Sequence, residues 1–265
     1  MYIEVAAHRG NVADYPENTM PAFQSAYDIG ADMIETDMHM TKDGEIVLIH
    51  DDNLARTTDM EGRIRDFTVE EIKRADAGVK KGEQHKGLRV PTLRELLELA
   101  VKSDSKMQFN FEFKDYYSGG EEFAKESADK AIALIDEYGL WDRSFVNSFD
   151  GRLLEYIEEK YQGRFRLHGF YPYPIIGNSR AKLYCACLFN QHLVDGKWEH
   201  GSSPINPKED FDAVLADGVR PWVGAGVRKI EDMQRAAELG AELITSNEPA
   251  FMMAELKRIG LRERD

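Results

Sequence analysis

Cysteine is scarce, basic clusters are missing, and no apolar run approaches the ~20 residues a membrane-spanning helix needs. The 265 residues hold two cysteines, Cys185 and Cys187. Two positions apart on a strand, they face the same way and cannot easily bridge, and no second pair exists to complete a zinc site. Both are expected to be small core residues of a reduced, cytosolic protein. The net charge is −14, and without a basic patch neither nucleic acid nor an anionic membrane surface is expected as a partner. The residues after Met1 form neither a basic n-region nor an apolar h-region, so no leader and no stable membrane anchor is expected. Dinucleotide and P-loop signatures are missing too. Gly224-Ala225-Gly226 follows a strand but lacks the third glycine and the downstream acid.

What is present is a core and a rhythm. Hydrophobic residues make up 42% of the chain, enough for a sizeable interior, which excludes disorder. Strand-like segments begin near residues 3, 33, 108, 144, 165, 183, 219 and 242. Helical segments lie between most of them, over about 22–29, 93–101, 120–138, 152–160, 207–216, 229–239 and 249–258. Eight such units over this length predict an α/β fold of the (β/α)8 TIM-barrel type, as one domain over 1–265. Residues of about 51–90 are polar and glycine-dotted, and are expected as a small excursion after strand 2, with a short helix near 69–75. Residues 170–181 show no convincing helix. His192 and His200 are expected in a loop after the strand at 183–189.

The organising stretch runs from Met33 to Asp52. Alternation on its strand puts Glu35, Asp37 and His39 on one face. A Glu-x-Asp pair on a strand is by itself more often a solvated face, but a hard-oxygen pair also suits Mg²⁺ or Ca²⁺. The neighbours favour the second reading. Strand 1 ends in His8-Arg9-Gly10, the Met33–Asp52 stretch ends in His50-Asp51, and strand 3 offers Glu112 and Lys114. In a barrel all of these reach one rim. Three carboxylates so close need a divalent cation to coexist ionised, although a Glu112–Lys114 salt bridge also satisfies the spacing. Two imidazoles beside a metal-bound phosphate suggest in-line displacement with one proton taken and one given.

These residues fall into spaced motifs: His8-Arg9-Gly10, Pro16-Glu17-Asn18-Thr19, Gly30 to Asp37, Thr41 to Gly44, His50-Asp51, Arg56-Thr57-Thr58, Val90 to Leu93, Asn110-x-Glu112-x-Lys114, Ser148-Phe149, and Ile244-Thr245 with Pro249. In that order the chain resembles the glycerophosphodiester phosphodiesterase family over nearly its whole length. The resemblance implies His8 and His50 as the catalytic acid/base pair. It also implies Glu35, Asp37 and Glu112 as ligands of one divalent metal ion, Mg²⁺ or Ca²⁺. Arg9 and Lys114 match phosphate-holding positions, and Glu17 and Asn18 match the loop beside them. Phe149 and Trp222 are expected beside the substrate, with Trp222 over the glycerol or head group. The implied reaction is attack by the glycerol 2-hydroxyl, release of an alcohol through a cyclic phosphate, and hydrolysis to glycerol 3-phosphate.

Two motifs depart from the family. Its Trp-Thr-Val-Asn reads Trp222-Val223-Gly224-Ala225, and its late Thr-Asp reads Thr245-Ser246-Asn247-Glu248. Both changes bear on the alcohol side of the substrate. The same chemistry on lysophospholipids or a sugar phosphodiester is therefore an alternative, and a barrel that binds phosphate without turnover ranks behind both. His168, His192 and His200 read as loop or strand-end histidines, His39 as a residue behind the ligands or at the surface, and His85 as solvated.

Overall fold

The structure, a computed structural model, describes residues 1–103, 106–177, 179–194 and 197–263. In chain order the elements are β1 (Glu4–His8), α1 (Met20–Asp28), β2 (Met33–Met40), β3 (Ile46–Leu48), α2 (Val69–Ile72), α3 (Leu93–Lys102), β4 (Gln108–Phe113), α4 (Glu121–Glu137), β5 (Ser144–Asn147), α5 (Gly151–Lys160), β6 (Arg166–Tyr171), β7 (Leu183–Leu188), β8 (Gln191–Val194), β9 (Lys197–His200), α6 (Lys208–Ala216), β10 (Arg220–Val223), α7 (Ile230–Glu238), β11 (Leu243–Ser246) and α8 (Pro249–Arg258).

Eight strands pair in parallel in the order β1-β2-β4-β5-β6-β7-β10-β11, and β1 closes the ring by pairing with β11 as well as β2. This is the (β/α)8 barrel that the alternation predicts. Closure follows from side-chain chemistry. On β4, Phe109, Phe111 and Phe113 point outward into a core shared with α1, α3, α4 and α5, while Asn110 and Glu112 point inward. Deep in the barrel, Ala6, Met33, Phe145, Cys185, Trp222 and Leu243 form an apolar layer. Both cysteines are buried and unpaired. Two positions beyond this layer on β1, β2, β5 and β11, His8, Glu35, Asn147 and Thr245 line a cavity at the mouth of the barrel.

Local signals set the helix ends. Thr68 with Glu71 and Thr92 with Glu95 form reciprocal capping boxes at α2 and α3, which satisfy two otherwise orphaned N–H groups apiece. Pro21 sits in the first turn of α1, where it removes no helical hydrogen bond.

Two details differ from the sequence reading. The helix near 69–75 ends at Ile72. The segment after β7 is not a plain loop but an antiparallel hairpin, β8 with β9. Between β6 and β7, where no convincing helix was expected, the described residues hold a single 3₁₀ turn, Tyr173–Ile176. The excursion after β3 folds over its own small core of Val47, Ile49, Leu54, Ile64, Ile72, Ala77 and Val90. Asp76 ties it together by accepting from the backbone N–H groups of Gly78, Val79 and Gly87. Among the described residues no helix is long and apolar enough to cross a membrane.

Candidate active site

The rim assembles from strand ends. His8 closes β1, and the chain then turns sharply through Arg9 and Gly10, at φ 59° and 85°. A side chain on Gly10 would place its Cβ 2.7 Å from the Ala22 backbone, so only glycine lets this loop lie against α1. The turn swings the Arg9 N–H onto the Glu35 carboxylate at 3.0 Å. Its guanidinium lies 3.2 Å from Asp37 Oδ2 and 2.9 Å from Glu17 Oε1.

Glu35 and Asp37 come from β2 and Glu112 from β4, where Asp37 and Glu112 are register partners. One carboxylate oxygen from each lies within 4.8 Å of the other two, and all three residues are buried. Lys114 Nζ sits 2.7 Å from Glu112 and 3.6 Å from Asp37. The Glu112–Lys114 bridge and the carboxylate cluster therefore coexist. Burial and the neighbouring Asp37 and Glu112 charges push the Glu35 carboxyl well above its usual pKa. Asp37 would also be raised by burial, but Lys114, Arg9 and His50 outweigh it and hold its pKa low. Burial opposes the charge on Lys114, yet Glu112 and Asp37 raise its pKa. The cluster thus has one more negative charge than its two cations settle, in an all-oxygen donor set. That fits a hard divalent ion.

The two rim histidines have different supports. His8 Nδ1 lies 2.6 Å from Asn247 Oδ1, and its Nε2 faces Glu35 at 3.8 Å. Burial, then the Arg9 charge, lower its pKa to about 4, so the ring is neutral at physiological pH. His50 Nδ1 lies 2.5 Å from Asp51 Oδ1. Arg56 in turn grips Asp51 at 2.6 Å and Glu17 through two bonds of 2.8 Å. Burial alone would raise Asp51, but Arg56 and His50 bring its pKa down to about 2. One chain of ion pairs thus runs from His50 through Asp51, Arg56 and Glu17 to Arg9.

Residues 8–250 match the family model described as the glycerophosphoryl diester phosphodiesterase family. A glycerophosphodiester phosphodiesterase of Caldanaerobacter subterraneus subsp. tengcongensis is 35% identical over 266 residues, covering 97% of this chain and 98% of its own. The chain belongs to the glycerophosphoryl diester phosphodiesterase family. It is an enzyme of that family, a phosphoric diester hydrolase. A Bacillus altitudinis glycerophosphodiester phosphodiesterase is 43% identical over 149 residues, covering 55% of this chain and 58% of its own. In fold, an Oleispira antarctica phosphodiesterase solved with the product sn-glycerol-3-phosphate superposes with TM-score 0.79 at 20% identity, over 97% of each chain.

Within this member of the family, His8, Arg9, Glu35, His50, Glu112, Lys114 and Phe149 all line one cavity of about 220 Å³. Asp37 and Asn18 are buried beside it, and Glu17 lines an adjoining cleft with His8 and Arg9. Asn18 donates to Asp37 Oδ2 at 2.9 Å and accepts from Thr36 at 2.7 Å, so it aims a carboxylate. Phe149 stacks on Phe170 with ring centroids 3.7 Å apart. Trp222, expected over the glycerol or head group, is instead 2% exposed and packs on Phe145 and His168 in the layer beneath the cavity, outside its lining.

Sequence reasoning missed Asn247 and His168. Asn247 orients His8, and the last strand's rim was the place to look, because barrel closure puts it beside the first. Of the two places expected for His39, it takes the one behind the ligands: it is 3% exposed, with Nδ1 2.8 Å from Asp115 and Nε2 3.2 Å from the His50 carbonyl, and it steadies the His50 backbone. His168 is inward on β6 and lines the cavity. Its parity with Phe170 was the available signal. His85 packs against the Tyr15 ring rather than standing free.

Proposed function

We propose that this enzyme hydrolyses small glycerophosphodiesters to glycerol 3-phosphate and an alcohol, with His8 and His50 as the acid/base pair. One observation carries the reading: two histidines with unlike partners flank a buried three-carboxylate cluster that two cations border. Glu35, Asp37 and Glu112 would hold one divalent ion, Mg²⁺ or Ca²⁺. When bound, it neutralises phosphate charge and polarises the phosphorus.

The residues divide the work. Arg9 and Lys114 hold the phosphate oxygens and fix the diester between the rings. Asn247 accepts from His8 Nδ1–H, which leaves a lone pair on Nε2. That nitrogen takes the proton of the glycerol 2-hydroxyl as its oxygen bonds to phosphorus. The bond from phosphorus to the alcohol oxygen breaks, and that oxygen receives a proton from His50, whose positive charge Asp51 balances. The product is a five-membered cyclic phosphate. Water then opens it with the roles reversed: His50 takes the water proton and His8 returns one to the 2-oxygen. The chain acts as one domain over 1–265 with the excursion of about 51–90 supplying His50's support, and buried free thiols suit a reducing cytoplasm.

The test uses a phosphodiester of propane-1,3-diol, which lacks the 2-hydroxyl. It should not be turned over, and His8→Ala and His50→Ala should each lower kcat on glycerophosphocholine by ~10²–10⁴. Turnover of the 2-deoxy diester at the normal rate would remove the internal nucleophile.

A further inference from the structure

A charged cleft of about 480 Å³ runs between the excursion after β3 and the loop that follows β4. It meets the cavity at His50 and Lys114, which line both. Its three carboxylates are all engaged. Asp51 is held by His50 and Arg56, and Asp52 faces Arg63 at 3.4 Å. Asp115 accepts from the Met40 N–H at 2.8 Å and the Ser127 hydroxyl at 2.7 Å, and pairs with His39. Two of the three cations are engaged as well, Arg63 with Asp52 and Lys114 with Glu112. The third is Arg65. Ile64, 1% exposed in the small core of the excursion, anchors the 3₁₀ turn Ile64–Asp66 that carries it. Arg65 Nη1 donates to the Gly119 carbonyl at 2.7 Å, and the guanidinium lies 4.0 Å over the Phe123 ring. Among the described residues Arg65 forms no ion pair, because the acids of the cleft pair elsewhere. The cleft therefore holds one positive charge that its own carboxylates leave uncompensated.

We infer that Arg65 is the residue that recognises the leaving alcohol, and that it favours an alcohol carrying a carboxylate. The inference rests on the proposed roles of the two histidines. His50 gives its proton to the alcohol oxygen, so the rest of the alcohol extends past His50 into this cleft. A guanidinium offers a planar fork of N–H groups that a carboxylate accepts in pairs. One uncompensated positive charge matches one carboxylate, whereas a dianionic phosphate would add more repulsion to a chain of net charge −14. A quaternary ammonium gains nothing comparable. Such cations are held by open aromatic faces, and Arg65 itself covers the face of Phe123. A second cleft, of about 470 Å³, opens on His8 rather than His50. Its Lys81 donates to the Val12 and Ala13 carbonyls and stands on the side from which the alcohol does not leave.

The test is kcat/KM of the whole protein, with Mg²⁺ supplied, on glycerophosphoserine and glycerophosphoethanolamine, whose alcohols differ by one carboxylate. The serine diester should be favoured by about tenfold, the scale of a charge-assisted hydrogen bond reduced by partial exposure to solvent. Arg65→Met should bring that ratio to within about twofold of one, mainly by raising KM for the serine diester. Arg65→Gln, which keeps a donor for Gly119 without the charge, should do the same, and supplies the answer if Arg65→Met does not fold. Arg65→Lys keeps the charge and should retain most of the ratio. Lys81→Met should leave the ratio as it is in the unaltered protein. Equal use of the two diesters by the unaltered protein would overturn the inference and leave the phosphodiesterase reading intact. So would an equal loss in Arg65→Met and Arg65→Lys, which would make Arg65 a tether of the cleft wall. A ratio that moves in Lys81→Met instead would also overturn it, by putting the alcohol beside His8. Failure of the folded protein to cleave either diester would defeat the phosphodiesterase reading and the inference with it.

Discussion

At the residue scale, what matters is which atom stands behind each histidine. His8 leans on a neutral amide and His50 on a carboxylate, and the proposed mechanism uses this asymmetry to assign His8 as the base and His50 as the acid. Asn247 is therefore a positioning residue. Asn247→Ala should lower kcat by about tenfold, the equivalent of one lost hydrogen bond, and leave KM for glycerophosphocholine almost unchanged. Asn247→Asp, which keeps an acceptor at the same place, should retain most of the activity. Steady-state kinetics on the three proteins decides the point, and a twofold or smaller effect of Asn247→Ala would leave His8 without its orienting partner. How little of this was visible in the linear chain has a simple cause. His8 and Asn247 are 239 residues apart and meet only because β1 and β11 pair. The carboxylates were legible by contrast, since alternation along β2 and β4 states their parity within a few residues. Trp222 shows the limit of parity. It tells inward from outward but not depth, and depth decides whether a ring lines a cavity or floors it.

At the scale of elements, the excursion after β3 is joined to the catalytic rim through Arg56. Its guanidinium holds Asp51, which supports His50, and Glu17, which supports Arg9. Burial works against both carboxylates, yet Arg56 and the partners around it depress Glu17 and take Asp51 to about 2. A carboxylate whose folded pKa lies below its unfolded value of about 4 contributes stability that is present above that value and lost as pH falls toward the folded one. The melting temperature of the unaltered protein should therefore exceed that of Arg56→Met at pH 6, with the gap closing between about pH 4 and pH 2. Melting curves across that range check it. A gap that stays constant to pH 2 would mean that the ion-pair chain does not carry this stability. The excursion was recognisable in the sequence as a polar interruption of the barrel rhythm. Its anchoring was not, because Arg56 and Glu17 lie 39 residues apart. The β8–β9 hairpin escaped notice for a related reason. Gln191–Val194 and Lys197–His200 lack the regular apolar alternation by which a strand announces itself.

At the scale of the whole molecule, the barrel gathers charge against its own preference. A chain of net charge −14 places three of its carboxylates together in a buried rim, with Glu35 held well above its usual pKa by burial and then by the Asp37 and Glu112 charges. Closure by eight parallel strands enforces this, because Glu35, Asp37 and Glu112 can leave the rim only if β2 and β4 leave the sheet. Such an arrangement is stabilised by whatever neutralises it. The eight-fold alternation made the barrel readable from sequence, and the charge gathering at its rim followed from it. The most direct measurement is glycerol 3-phosphate release from glycerophosphocholine and glycerophosphoethanolamine by metal-stripped protein, with Mg²⁺ or Ca²⁺ added back and melting temperature recorded alongside. The account predicts turnover restored by the added ion and a melting temperature raised by it, by about 2.7 kcal/mol of stabilisation at a hundredfold excess over the dissociation constant. Both effects should vanish in Glu112→Ala. Full activity in the stripped protein, or restored activity that survives Glu112→Ala undiminished, would contradict it.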